Sequence, residues 1–476
     1  MKSFGNIAKD GQVRAVASGA LTDGKAVIVN SDGTVSVVAE TSISQSAGAP
    51  VNFESGNTVY TSTAYDTNAQ KVVIAYRDNG NSNYGTAIVG TVNGTSISFG
   101  SPVVFETAES SFNTIAYDAN AQKVFIAFRD GGNGDYATAI VGTVSGTSIS
   151  FGTPVVIRSL SSSELESTYD SNAQKVVVVS SVGSSQPQAF VGTISGTSVT
   201  FGSRTDFGGT NDITSGIAYD ANAGKVVVAY RDGSNTYSNA VVGTVSGTSI
   251  SFGTEVVFSG AGTEEEIGIA YDSNNQKIVI AFCQSDVGKG IVGTVSGTSI
   301  SFGTAVDFNT ANTRYLRAVY DTNAQKVVFF FRDADPFYGK AVSGTVSGTS
   351  ITFSSITTFQ EGRTQQISAA YDTNAQKVVV AYQDYAASNG DASVFTTGYT
   401  SQNITSENYI GISRSGAASG AGAIIDTQGA IADNLSGLTA GQSYFVQTDG
   451  TLGTTAADPS VFAGTAVSAT KLIVKG

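Results

Sequence analysis

The chain has 476 residues, 25 of them Lys or Arg and 38 Asp or Glu, a formal net charge of −13 at only 13% charged residues. It contains no histidine, no tryptophan and a single cysteine, Cys283, which excludes Ser-His-Asp and Cys-His catalysis, His-ligated metals, cysteine zinc sites and intrachain disulfides. The acidic balance without any Lys/Arg run offers no electrostatic footprint for nucleic acid, and no run approaches the roughly 18 apolar residues of a membrane-spanning helix.

The N-terminus, "MKSFGNIAKDGQ", lacks the apolar core of a signal peptide, so synthesis in the cytosol without secretory export is expected. Residues 1–40 are read as a β segment. Within them "LTDGKAVIVNSDGT", Leu21 to Thr34, aligns without gaps on "LTAGQSYFVQTDGT", Leu438 to Thr451. Each carries a hairpin signal, Asp32-Gly33 and Asp449-Gly450. One β-rich accessory module built from both termini, residues 1–40 with 405–476, is therefore expected.

Residues 41–404 carry a repeat. Tyrosines at 65, 117, 169, 219, 271, 320 and 371 mark it, each followed by Asp. A spacing of about 50 residues belongs to propellers and arrays. In the second unit the strands read "FNTIAYD", "KVFIAFRD", "ATAIVGTV" and "TSISFGTPVVI", rich in β-branched and aromatic residues and bounded by turns. The first two are joined by "ANAQ". The last two are joined by Ser145-Gly146, or Asn93-Gly94 in the first unit, a two-residue loop expected to hold both residues at positive φ. Such hairpins make each unit an antiparallel four-stranded meander, a propeller blade; a β-helix would need parallel rungs without them. The fold class predicted is all-β: a seven-bladed β-propeller of four-stranded antiparallel blades plus the accessory module. The hairpin "GTVSGTSISFG" and its near-copies occur six times, not seven. The missing outer strand is assigned to "TSISQSAGAPVNF", Thr41 to Phe53, which matches "TSISFGSPVVF" with two extra residues and closes the ring from the N-terminal side.

Alternating strand direction puts loops 1–2 and 3–4 on one face, the bottom, and loops 2–3 and blade-to-blade on the other, the top. Bottom loops barely change ("DTNAQK", "DANAQK", "DSNAQK"), whereas top loops share little ("RDNGNSNYG", "SSVGSSQPQ", "RDADPFYGK"). One face reads as scaffold and the other as individually shaped for binding; simple drift of exposed loops is the alternative. The accessory module is expected beneath the invariant face.

Top-face aromatics are Tyr60, Tyr84, Phe112, Tyr136, Tyr237, Tyr315, Phe337, Tyr338 and Tyr385. Tyrosine combines a rigid apolar face with a polar tip, which suits sugars or a protein patch; capping blade ends is the plainer role. Arg314, Tyr315 and Arg317 with Phe337, Tyr338 and Lys340 form the densest aromatic-cationic group. The candidate ligand-binding residues are thus Tyr84, Tyr136, Tyr237, Arg314, Tyr315, Arg317, Phe337, Tyr338, Lys340 and Tyr385. No catalytic residue, metal site or cofactor is expected. Glu264, Glu265 and Glu266 lack the alternating spacing of a calcium loop. "RD" closes the second strand at Arg77-Asp78, Arg129-Asp130, Arg231-Asp232 and Arg332-Asp333, and its repetition reads as blade-to-blade bracing. Asp66 and Lys71 are expected to pair across their own turn.

The C-terminal stretch from Asn408 to Gly476, "NYIGISRSGAASGAGAIIDTQGAIADNLSGLTAGQSYFVQTDGTLGTTAADPSVFAGTAVSATKLIVKG", resembles a module that closes many structural proteins of marine tailed phages. The repeat and the leader "ASGALTDGKAVIVNSDGTVSVV" are similar to such proteins too. The resemblance implies a virion component, a tail fibre, appendage or head decoration, and transfers no catalytic residues. The expected function is a non-enzymatic adhesin at the virion surface that contacts host glycan or protein through its top loops and other virion proteins through the accessory module. A homo-oligomer is expected, with neither nucleic acid nor membrane insertion. A capsid decoration protein without a specific receptor, and a propeller glycosidase acting on envelope polysaccharide, are the alternatives.

Overall fold

The computed structural model describes residues 11–183, 185–260 and 262–475. The chain divides into two compact units, residues 44–398 and the described parts of 1–43 with 399–476.

Residues 44–398 are all-β apart from one short 3-10 turn, Gly131–Asn133, among the described residues. Each repeat folds as an antiparallel sheet. In the second, Val103–Asp118 pairs with Lys123–Asp130, which pairs with Tyr136–Ser145. The second strands are runs such as "KVVIAYRD", in which Val72 through Tyr76 are all 0% exposed. An unbroken apolar run instead of alternation means that both faces of the strand are covered. Consecutive sheets supply the cover. Ala64, Val73 and Phe105 pack with Ile115, Val124 and Phe128 between the first and second repeats. The same kind of cluster joins Tyr65, Ile74 and Tyr76 of the first repeat to Val379, Ala381 and Val394 of the last.

Three local expectations are corrected. The fourth strand is not continuous: Ser148–Phe151 pairs with the lower half of Tyr136–Ser145, and Val155–Ser161 with its upper half. Gly152 lies at the break, where a Cβ would stand 1.9 Å from the Thr197 carbonyl oxygen of the next repeat. The hairpin turn is shifted by one residue. Ser145 pairs with Ser148, so the loop is Gly146-Thr147 and only Gly146 takes positive φ, 61°; glycine first is the pattern of a II′ turn. The strand beside the seventh sheet begins later than Thr41. Ser46–Ala47 pairs with Phe395 and Thr396, and Val51–Glu54 with Gly390 to Ala392. Glu40–Ile43 instead pairs with Tyr399–Gln402 in a separate two-stranded ladder.

The bottom turns show why "YD-x-N-A-x-K" recurs. Asp66 Oδ1 accepts the backbone N–H groups of Asn68 (2.9 Å) and Ala69 (2.8 Å), so the carboxylate closes the turn through main-chain donors instead of pairing with Lys71. The tyrosine serves the preceding repeat: Tyr117 Oη accepts the N–H of Asn68 at 3.2 Å, and Tyr169 that of Asn120.

The other unit contains two five-stranded sheets of one topology. Their orders are Gln12–Val16, Gly422–Asp426, Tyr409–Ser413, Ala26–Val29, Val35–Val37 and Ile431–Ala432, Lys471–Val474, Val461–Ser468, Ser443–Val446, Leu452–Gly453. The likeness extends to details. Asp32 Oδ1 accepts the N–H and hydroxyl of Thr34 at 2.9 and 2.6 Å, and Asp449 Oδ1 those of Thr451 at the same distances. Gly411 and Gly464, at φ 149° and 151°, mark matching register shifts. Ala26, Ile28 and Ile412 of one sheet share a core with Tyr444, Val446 and Leu472 of the other. The module is the same fold twice. Residues 38–408 interrupt the first copy where residues 454–460 interrupt the second.

Candidate functional site

Four or five residues before each repeat tyrosine the inner strand slips register. The shifts fall between Val59 and Ser62, Ser111 and Thr114, Ser163 and Glu166, Thr214 and Gly216, Thr263 and Ile267, Arg314 and Arg317, and Gln365 and Ser368. A bulge leaves one residue unpaired and re-aims its side chain. Tyr60, Phe112, Glu164, Tyr315 and Gln366 occupy the bulges with φ of 47° to 55°. These side chains and their neighbours line one cavity of about 240 Å³ that draws on every repeat: Tyr60 and Thr61, Phe112 and Asn113, Glu164 to Glu166, Ser215, Glu266, Tyr315 and Arg317, and Gln366 and Ile367.

Two seams are bridged across the cavity wall. Glu266 Oε2 accepts the N–H of Tyr315 at 2.6 Å, and Gln366 Oε1 that of Tyr60 at 2.8 Å. Burial pushes the Glu266 carboxyl above the ordinary value, opposed by the Tyr315 hydrogen bond and by Arg317. Burial raises Glu166 likewise, with Arg317 the opposing charge. The cavity thus sets carboxylates, one arginine and three aromatic rings within one polar enclosure.

The "RD" pairs combine the bracing expected, at Arg77 and Arg332, with a role inside their own repeats. Arg77 stacks on Tyr60 (5.0 Å), Arg129 on Phe112 (5.2 Å) and Arg332 on Tyr315 (4.8 Å), each guanidinium backing the bulge aromatic of its own repeat. The aspartates organise their own loops: Asp78 accepts from Asn81 N, Asp130 from Gly132 N and Asp333 from Tyr338 N. A bridge to the next repeat exists at Arg77, whose Nη1 lies 2.9 Å from Glu109.

The predicted binding residues therefore separate. Tyr315 and Arg317 line the cavity. Phe337 and Tyr385, 41% and 46% exposed, lie outside it beside Arg332 and Arg363. Lys340 sits 5.2 Å from the Tyr338 ring and donates to Thr358 on the fourth strand, and neither Tyr338 nor Lys340 is among the lining residues. Arg314 pairs with Asp286 at 3.4 Å. Tyr84 and Tyr136 open the third strands of their sheets, and Tyr237 precedes another; none is among the lining residues. Glu166, Gln366 and Arg363 escaped the sequence reading, as did the lining role of Glu266. Counting back five from each repeat tyrosine picks out Gln366 and Glu266 at once. The side chains of Glu264 and Glu265 lie outside the described residues. Among the described residues no group of three His, Cys, Asp or Glu is placed to hold a metal.

No protein-family model matches the chain, and no curated protein matches it. Among solved structures it is similar to a mutant of the Aleuria aurantia lectin in complex with Fucα1-6GlcNAc, at 14% identity over 64% of this chain and 98% of that one, with a TM-score of 0.43. It is also similar to the Dos1 propeller, at 13% identity over 74% and 95% of the two chains and a TM-score of 0.44. A protein from Lactobacillus plantarum matches at 10% identity over 73% and 95%, with a TM-score of 0.47.

Proposed function

We propose that the protein is a non-enzymatic, glycan-binding adhesin of a tailed-phage virion, of the tail-fibre or appendage type. In this reading residues 44–398 form a seven-bladed β-propeller, closed by the Ser46–Glu54 segment as the outer strand of the last blade. Binding takes place at the bulge cavity and its rim. The duplicated module holds the protein to other virion proteins, the assembly is a homo-oligomer, and the working location is the virion surface.

One observation carries the binding assignment. A single backbone device, repeated at equivalent positions, delivers Tyr, Phe, Glu, Tyr and Gln to one cavity, while the turns at the opposite end vary little in sequence and repeat one left-handed position. Fixed backbone with varied side chains at one spot is how a repeat scaffold individualises a recognition site. Aromatic rings among carboxylate, guanidinium and amide groups suit a sugar, which offers an apolar C–H face and a rim of hydroxyls. The phage assignment rests on the resemblance of the C-terminal stretch and the repeat.

A glycosidase is the second reading, favoured by Glu166 and Glu266, two carboxyls raised by burial in the same cavity. Against it, Glu266 Oε2 is already engaged by the Tyr315 N–H, a structural bond that Gln366 makes to Tyr60 in its own repeat.

The test is saturable binding of the purified protein to intact host cells, with a Tyr60→Ala/Tyr315→Ala variant alongside. Binding that falls at least tenfold in the folded variant supports the adhesin. Absence of binding by either protein favours capsid decoration. Release of reducing ends from envelope polysaccharide, lost in Glu166→Gln, favours the glycosidase.

A further inference from the structure

Beside the cavity, five side chains from two repeats form an alternating stack. Arg332 lies with its guanidinium carbon 4.8 Å from the Tyr315 ring centre and 5.4 Å from that of Phe337. The Arg363 guanidinium carbon lies 5.5 Å from the Phe337 ring centre and 4.1 Å from that of Tyr385, so the order runs Tyr315, Arg332, Phe337, Arg363, Tyr385. Tyr315 is also a wall of the cavity, so the stack leads outward from it. The loops that carry it are knitted together: Thr364 N donates to the Phe337 carbonyl at 3.0 Å, and Tyr385 N to that of Arg363 at 2.9 Å.

The stack is short of negative charge. Arg363 is exposed, and neither arginine has a carboxylate within ion-pair distance among the described residues. Their shared polar partner is neutral: the Gln365 amide oxygen, in the orientation that satisfies both, accepts from Arg363 Nη2 and Nε at 3.2 Å and from Arg332 Nη1 at 3.3 Å. Two neighbouring cations without an ion-pair partner among the described residues are an unusual feature in a chain of net charge −13. Burial lowers the proton affinity of Arg332, and Arg363 adds to that effect against the opposing pull of Tyr315 and Glu266. Phe337 holds its place in the stack from a left-handed backbone, φ 69°, a conformation unfavourable for a bulky residue.

We infer that this stack is an oxyanion subsite of the proposed glycan site, taking the carboxylate or sulfate group of an acidic polysaccharide. Gln365 takes Arg363 Nε and one Nη2 hydrogen, which leaves the Nη1–Nη2 end of that exposed guanidinium to match a carboxylate or sulfate through paired charge-assisted hydrogen bonds. Tyr385, exposed at the outer end of the stack and covered there by Arg363 alone among the described residues, offers stacking surface to the sugar ring that bears the acid. The inference rests on the glycan-binding reading and narrows it to acidic glycans.

The experiment measures binding of the whole chain to polygalacturonate (carboxylate), dextran sulfate (sulfate ester) and neutral dextran, at low and at physiological salt, together with binding to intact host cells. Arg363→Gln is the informative variant because Arg363 is exposed and its loss leaves the fold intact; thermal melting checks this. The expected result is salt-sensitive binding to at least one acidic polymer and none to dextran, with affinity at least tenfold weaker in Arg363→Gln and partly restored in Arg363→Lys. The polymer preferred identifies the acidic group. Acidic-polymer binding that is absent, or unchanged in Arg363→Gln, overturns the subsite. If cells are still bound in that case, the glycan reading survives without it; if cells are not bound either, both fall.

Discussion

Glu266 accepts the backbone N–H of Tyr315 at 2.6 Å across the seam between two consecutive repeats. The donor belongs to a residue at φ 55°, whose bulge removes it from the strand ladder. Left alone, that N–H would be an unsatisfied donor at a cavity wall. The neighbouring repeat satisfies it, and Gln366 satisfies Tyr60 in the same way. The residue that shapes the cavity in one repeat therefore anchors the cavity residue of the next.

Glu266→Gln keeps the acceptor and removes the buried acid, whereas Glu266→Leu leaves the Tyr315 N–H unmet. The Leu variant is expected to lose about 1–3 kcal/mol. The Gln variant is expected to match the wild type in acid and exceed it at neutral pH. The sign follows from the raised carboxyl: its contribution to stability is full below the ordinary value of 4.5 and is lost as pH rises through the higher folded-state value. Urea unfolding of both variants across this pH range provides the check. A Gln variant less stable than wild type at neutral pH would mean that the charged Glu266 carboxylate stabilises the fold.

Gly152→Ala and Gly48→Ala test one seam geometry at two places. An added Cβ would lie 1.9 Å from the Thr197 oxygen in the first case and 1.8 Å from the Thr95 oxygen in the second. Both contacts are with backbone and cannot be relieved by a rotamer change. Each substitution should cost about 1–3 kcal/mol, read from denaturant midpoints. A harmless Gly48→Ala would show that the N-terminal segment is not seated against the first repeat as the other fourth strands are against their neighbours.

The bottom turns place Gln122 at φ 55°, and the fourth repeat has Gly224 there at φ 62°. Gln122→Gly should be neutral or stabilising, because relief of left-handed strain of about 1–2 kcal/mol outweighs the added freedom of the unfolded chain. Gln122→Val should destabilise, since a β-branched residue tolerates this conformation least. Thermal unfolding midpoints of the two variants should move apart in those directions.

Ile43 and Tyr399 are antiparallel partners, and the residues between them form the other compact unit. Replacing 44–398 by Asn-Gly, a two-residue hairpin loop, should leave a folded duplicated module. Well-dispersed amide resonances and a cooperative melt are the expected readout; a disordered spectrum would mean that the module depends on the inserted repeats.

Much of this architecture was legible in the sequence because it is written in repeats. The tyrosine spacing located the inner strands, and the two-residue loops fixed strand direction within each sheet. The likeness of Leu21–Thr34 to Leu438–Thr451 pointed to one module from two ends. The turn lies one residue on from where the sequence suggests, because Asn93-Gly94 is the stronger written signal, while pairing of Asn93 with Ser96 places the loop at Gly94-Thr95. The site was legible only in part. Loop variability marks a face but carries no information about distance from the cavity, so Tyr84, Tyr136 and Tyr237 looked equivalent to Tyr60 and Phe112. The bulges leave no trace in the hydrophobic pattern, since a bulge shows only in pairing. Glu166 and Arg317 sit within strands and their meeting required the fold. Arg363 sits in an inter-repeat loop, and its partnership with Tyr385, 22 positions on, depends on how two loops cross.

Recognition at the proposed bulge face can be read from hydrogen exchange with and without the host surface polysaccharide. Binding there should slow exchange in segments 58–61, 110–113, 313–317 and 363–366 and leave the turns 66–71 and 118–123 unchanged. Protection confined to those turns, or spread over both ends of the sheets alike, would contradict it.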